Sequence, residues 1–206
     1  MATQHGMHLP LRHHVRGSVR VSVDAKSTES TLAAVSVRDT AIAVVRIGTG
    51  FLFLWAFLDK TFGLGYSTPS SKAWIHGGSP TKGFLGNVSV GPFQSWFNAW
   101  AGHPWADWLF MIGLAGIGVA LILGVGVRFA AACGLLMVAL MWFAVFPPAQ
   151  HTAAGVATGS TNPFVDEHVM DAFALIALAA FGTASRLGLG AWWAKLPFVA
   201  KHRSLL

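Results

Sequence analysis

The stretch TAIAVVRIGTGFLFLWAFLDKTF, residues 40–62, decides the fold of this chain. Between its ends it carries one basic residue, Arg46, before Asp59 and Lys60 close the run. A helix needs about 20 mostly apolar residues to cross the hydrocarbon core of a bilayer. Three further runs of that kind follow, at about 105–125, 127–146 and 165–184. In lipid the backbone must satisfy its own hydrogen bonds, so each run is predicted to be a helix. The expected fold is therefore an all-α membrane protein, a four-transmembrane-helix bundle. Pro147 and Pro148 are expected to stop the third helix.

Composition agrees with a chain solvated by lipid. Of 206 residues, 54% are apolar and 11% charged. A soluble domain carries about a quarter charged residues. The net charge of +6 is no nucleic-acid signature, because the basic residues gather at the two ends. Residues 1–38 are rich in Ser, Thr, His and Arg and read as a disordered basic tail. Its histidines, His5, His8, His13 and His14, lack neighbouring carboxylates and fixed spacing, so no metal is assigned to them. Residues 39–185 form the expected membrane domain, and 186–206 a second basic tail. Cys133 has no partner in the chain and reads as a helix-packing residue.

Orientation follows from Lys and Arg. The N-terminal tail holds Arg12, Arg16, Arg20, Lys26 and Arg38, and the C-terminal one Arg186, Lys195, Lys201 and Arg203. Arg128 lies in the short turn between the second and third runs. The positive-inside rule puts both termini and that turn in the cytoplasm, with a bacterial plasma membrane as the expected location. The two longer loops then face outward. In the first, 63–104, residues Phe93, Trp96, Phe97 and Trp100 share one helical face between Pro92 and His103. They predict a short amphipathic helix, either interfacial or capping the bundle mouth. Gly116, Ala120 and Gly124 form a small-residue ladder suited to close helix packing.

Ionisable residues beside apolar helices are costly and point to function. Arg46 either snorkels to the inner interface or faces inward as a cation for an anion or a quinone oxygen. At the outer end Asp59, Lys60, Asp107, Asp166, Glu167, His168 and Asp171 are expected at one level. Glu167 and Asp171, at i and i+4, share a face and repel, while His168 and Asp171 are spaced to hydrogen-bond. Lys60 is expected to compensate, or a carboxyl to hold its proton, an arrangement suited to proton transfer. Asp107 and Asp166 equally suit the positive ends of helix dipoles. The spacing matches no known ligand motif, so no metal is assigned.

The run RIGTGFLFLWAFLDK (46–60), the segment AWIHGGSPTKGFLGN (73–87) and NPFVDEHVMDAFAL (162–175) resemble the DoxX/DoxD-like family of membrane proteins. The resemblance spans about residues 40–185. It implies a four-helix membrane bundle and, for the DoxD type, the large subunit of a thiosulfate:quinone oxidoreductase. Quinone then enters as co-substrate, and a small DoxA-like chain as the missing partner. Catalytic candidates are Lys60, Glu167, His168 and Asp171. Substrate or quinone candidates are Arg46, Trp55, Asp59, Gly77, Gly78 and Lys82. Thiosulfate is a dianion, for which Lys60, Lys82 and the backbone N–H groups of Gly77, Gly78 and Ser79 are expected to provide. Two other readings stay open. One is a non-catalytic scaffold recruiting superoxide dismutase and a sulfurtransferase. The other is a small carrier or channel lined by Arg46 and the outer acidic residues.

Overall fold

A computed structural model describes residues 25–152, 154–181 and 188–202, with side chains from residue 37 onward. The histidines of residues 1–24, together with Arg186 and Arg203, lie outside the described residues. The chain is helical: α1 Ala25–Phe62, α2 Pro80–Leu85, α3 Gln94–Trp100, α4 Pro104–Leu123, α5 Val127–Val145, α6 Glu167–Phe181, α7 Gly190–Trp193 and α8 Pro197–Lys201. Helix α1 begins inside the stretch read from sequence as a disordered tail. Three helical segments are long and apolar enough to cross a membrane: Val37–Phe62, Pro104–Leu123 and Val127–Val145. The chain is accordingly a multi-pass membrane protein. Helix α6 has 15 described residues, and 182–187 lie outside the described residues, so the expected fourth run is seen only in part.

Glycines punctuate the long helices. Gly63, at φ 66°, ends α1 in the left-handed region, and its N–H donates to the Asp59 carbonyl at 2.8 Å. Gly124, at φ 73°, ends α4 in the same way. The four long helices close into a ring in which α1 packs on α4 and α6, and α5 packs on α4 and α6. Phe53, Met111, Leu114, Ile117, Leu121, Val138, Leu175 and Leu178 fill its centre. The outside is apolar as well: Phe51, Leu109, Ile112, Phe129, Leu136, Phe173 and Ile176 are all exposed. Helices apolar all round belong in lipid.

The small residues that admit close packing differ from the predicted ladder. A Cβ on Gly118 would lie 2.6 Å from the Leu54 backbone nitrogen, and one on Gly50 2.9 Å from that of Ile122. Gly116 faces open space, and Gly124 serves the helix end. Of the predicted ladder, Ala120 packs against the core.

Helix α3 falls within the predicted 92–103 stretch but divides its aromatics. Phe97 is buried beside Val88 and Ala144, and Phe93 meets Phe143 edge-on at 6.1 Å. Trp96 points outward. Phe93 stands at the N-cap with non-helical backbone, φ −107° and ψ 8°, so the four rings do not form one continuous stripe.

Candidate functional site

The long loop between α1 and α4 is built on two buried carboxylates. Asp59, only 1% exposed, accepts the N–H groups of Tyr66 and Ser67, both at 3.1 Å, and the Ser67 hydroxyl at 2.7 Å. Asp107 accepts the Ser79 hydroxyl at 2.9 Å, the Thr81 N–H at 2.9 Å and the Thr81 hydroxyl at 2.6 Å. Thr81 Oγ1 in turn accepts the Gly102 N–H at 3.1 Å. These hydrogen bonds make Asp59 and Asp107 positioning residues, each tying a loop segment to a helix end. Asp107 does more than favour the α4 dipole, because it fixes the start of α2.

Between these two staples opens a cleft of about 990 Å³. Lys60, Lys72, His76 and Lys82 line it with Ser67, Thr68 and Asn87, and no carboxylate lines it among the described residues. Lys60 Nζ donates to Ser67 Oγ at 3.4 Å, and that hydroxyl donates onward to Asp59. The ammonium thus sits beside a carboxylate that is turned away from the cleft. Lys82 lays its aliphatic stem along Gly102. Its backbone N–H is held by the Ser79 side chain at 3.2 Å, which caps α2. The cleft therefore concentrates positive charge, an arrangement that takes small anions.

Gly77 and Gly78 line this cleft, but their N–H groups are spent. Gly77 donates to the Trp74 carbonyl and Gly78 to the Ala73 carbonyl, each at 3.0 Å. Two of the three N–H groups expected to receive an anion are thus taken up within the loop. The two glycines are needed for shape: a Cβ on Gly78 would collide with the Lys72 carbonyl. Lys72 and His76 went unassigned as ligands in the sequence, because only the turns at 70–76 bring them beside Lys60.

The acidic residues of α6 lie elsewhere. Asp166, Glu167 and His168 line a second cavity of about 600 Å³, walled by Val88, Ala144, Thr158, Ser160 and Asn162. Phe84 and Asn87 line both cavities, so they are neighbours across α2. His168 Nδ1 pairs with Asp166 Oδ2 at 2.8 Å, and Asp166 Oδ1 accepts the Val169 N–H at 3.2 Å as the cap of α6. The histidine's carboxylate partner is Asp166 where spacing favoured Asp171. Asp171 is half-buried on α6 and lines neither cavity. The single outer cluster expected from sequence is therefore two sites, with Lys60 in one and Glu167 and His168 in the other. Donor atoms of Asp166, Glu167 and His168 lie within 4.8 Å of one another, close enough to share a cation, although consecutive residues gave no ligand motif in the sequence.

Arg46 sits at the opposite end of the bundle and is fully buried. Its Nη1 donates to the carbonyls of Leu121 and of Ile122, the latter at 3.0 Å. The next carbonyl, Leu123, accepts the Leu189 N–H at 2.7 Å. Three terminal carbonyls of α4 are thereby satisfied from outside the helix, where its own N–H groups run out. Fully buried, the guanidinium does not snorkel: it caps a helix C-terminus and complements its dipole. Trp55, offered for quinone, stacks on Phe51 at 5.8 Å and meets Tyr66 edge-on at 5.1 Å, outside both cavities. No protein-family model, curated protein or solved structure matches this chain.

Proposed function

We propose that this chain is a DoxX/DoxD-like subunit of a bacterial plasma membrane that binds a small sulfur oxyanion at the lysine cleft and serves a redox reaction. The observation that carries this reading is Lys60, Lys72, Lys82 and His76 around one cleft with no carboxylate lining it among the described residues. Thiosulfate is the first candidate, and membrane quinone the electron acceptor, as the family resemblance implies. Two thiosulfate ions joining as tetrathionate release two electrons, and quinone takes up both with two protons. The His168–Asp166 pair in the adjoining cavity suits the proton side of that exchange, since Asp166 holds one imidazole nitrogen and so orients the ring. A DoxA-like second chain completes the enzyme in this proposal.

The same reading makes α6 the fourth crossing. Asp166, just before its first residue, lines the loop-end cavity, and near its last residue the Arg38 guanidinium lies 5.3 Å over the Phe181 ring, on the first part of α1. With four crossings both termini share one side, and the charge distribution makes it cytoplasmic. Helix α3 then lies at the outer interface, where exposed Trp96 is favoured.

Calorimetric titration of the purified full chain with thiosulfate tests the anion site. Lys60→Ala and Lys82→Ala are each expected to weaken binding by about tenfold, the loss of one charge-assisted contact worth roughly 1.5 kcal/mol. Unchanged affinity in both variants sinks the cleft reading. Thiosulfate-dependent reduction of a quinone analogue in proteoliposomes, with a DoxA-like chain added, tests the redox half. Binding without turnover, alongside a co-purifying superoxide dismutase or sulfurtransferase, points to the scaffold instead.

A further inference from the structure

We infer that the C-terminal segment 188–202 is an interfacial plate that binds anionic phospholipid headgroups of the bilayer holding the bundle. The inference rests on the membrane-spanning helices and is independent of the sulfur-anion reading.

Its position comes first. Helices α4 and α5 have 20 and 19 residues, so they are about 30 Å and 28 Å long at 1.5 Å per residue. That matches a hydrocarbon core of about 30 Å, so their ends lie at its boundary. The segment is fastened at one of those ends, where the Leu189 N–H donates to the Leu123 carbonyl. Gly188 crosses so closely that a Cβ there would lie 2.5 Å from that oxygen and 3.3 Å from Arg46 Nη2. Residues 188–202 are thus a folded pair of short helices at the membrane surface, where sequence predicted a tail.

Its chemistry comes second. Val199 is 1% exposed and anchors α8 inward, whereas Trp192 and Phe198 are 58% and 65% exposed. Leu189 is exposed too. Large apolar groups held outward at that level fit the headgroup boundary. Lys195 and Lys201 are exposed on the same segment, and Arg128 is exposed on the first turn of α5 at the same end. No Asp or Glu occurs from residue 172 to residue 206. A surface of exposed aromatics and lysines, on a segment that carries no acidic residue, complements anionic headgroups over zwitterionic ones.

Native mass spectrometry of the full chain, titrated separately with phosphatidylglycerol and phosphatidylcholine, tests this. The expected result is tighter binding of phosphatidylglycerol. Lys195→Gln with Lys201→Gln is expected to weaken it by roughly 25-fold, about fivefold per lysine, and to leave phosphatidylcholine unchanged. Lys195→Arg with Lys201→Arg retains the preference, which separates charge from misfolding. Lys60→Gln with Lys82→Gln, at the other end, leaves it intact. Equal binding of the two lipids, or a preference abolished only by the loop-end pair, overturns the inference.

Discussion

Arg46→Met separates the capping role of Arg46 from any role in binding. Methionine keeps the length and apolar stem of the side chain but removes both hydrogen bonds to the end of α4. A hydrogen bond from a charged donor contributes about 1.5 kcal/mol, so the two together contribute about 3 kcal/mol. Lipid lowers that figure, because a chain unfolded within the membrane also finds partners, and interhelical bonds there average about 0.6 kcal/mol. The site lies at the helix end, where the Leu121 carbonyl keeps the Gly124 N–H and the Ile122 carbonyl is part-buried, so the expected loss is about 2 kcal/mol. Arg46→Lys recovers less than half, since one ammonium on a shorter reach replaces a planar fork. Equilibrium unfolding of the purified protein in mixed micelles measures both variants. Gly124→Ala extends the test, because its Cβ would lie 2.6 Å from Arg46 Nη1 on a backbone at φ 73°. That variant is destabilised alone by at least 1 kcal/mol, and less so when Arg46→Met has removed the clash. A stability change below about 0.5 kcal/mol for Arg46→Met, joined to lost anion or quinone binding, would refute the capping assignment.

Other expectations follow from the same geometry. Gly118→Ala forces a Cβ to within 2.6 Å of the Leu54 backbone and is expected to cost about 1–3 kcal/mol, whereas Gly116→Ala, facing open space, is neutral or slightly stabilising; thermal unfolding of the pair decides it. Asp107→Ala removes the acceptor of three hydrogen bonds and is expected to loosen residues 79–102 by about 2–3 kcal/mol, read as faster limited proteolysis of that loop while α4 and α5 stay protected. Thiosulfate affinity at the lysine cleft is expected to fall as salt rises, and sulfate is expected to compete; affinity constant from low to high ionic strength contradicts an electrostatic site. Asp166→Asn is expected to impair proton-coupled turnover more than Asp171→Asn, because Asp166 holds His168; equal effects mean that the pair is structural.

The sequence by itself determined that this is a helical membrane protein and where its long helices run. Those properties depend on local composition: a long apolar run, few charges within it, and Gly or Pro at its end. Helices α4 and α5 accordingly agree with the sequence to within two residues at each end. Part of the cleft was legible as well, since Lys60 and Lys82 frame a loop too long for a mere connection. What each ionisable residue does was decided only by the tertiary structure. Asp107 finds its donors 26 and 28 positions away, and Arg46 its acceptors 75 and 76 away. No periodicity encodes such distances. A buried charge is expensive in lipid whatever its role, so the sequence reveals that Arg46, Asp59 and Asp107 matter and is silent on why. Packing answers that question: it turns all three toward backbone and hydroxyl partners, and leaves Lys60, Lys72, Lys82 and His76 lining the cleft.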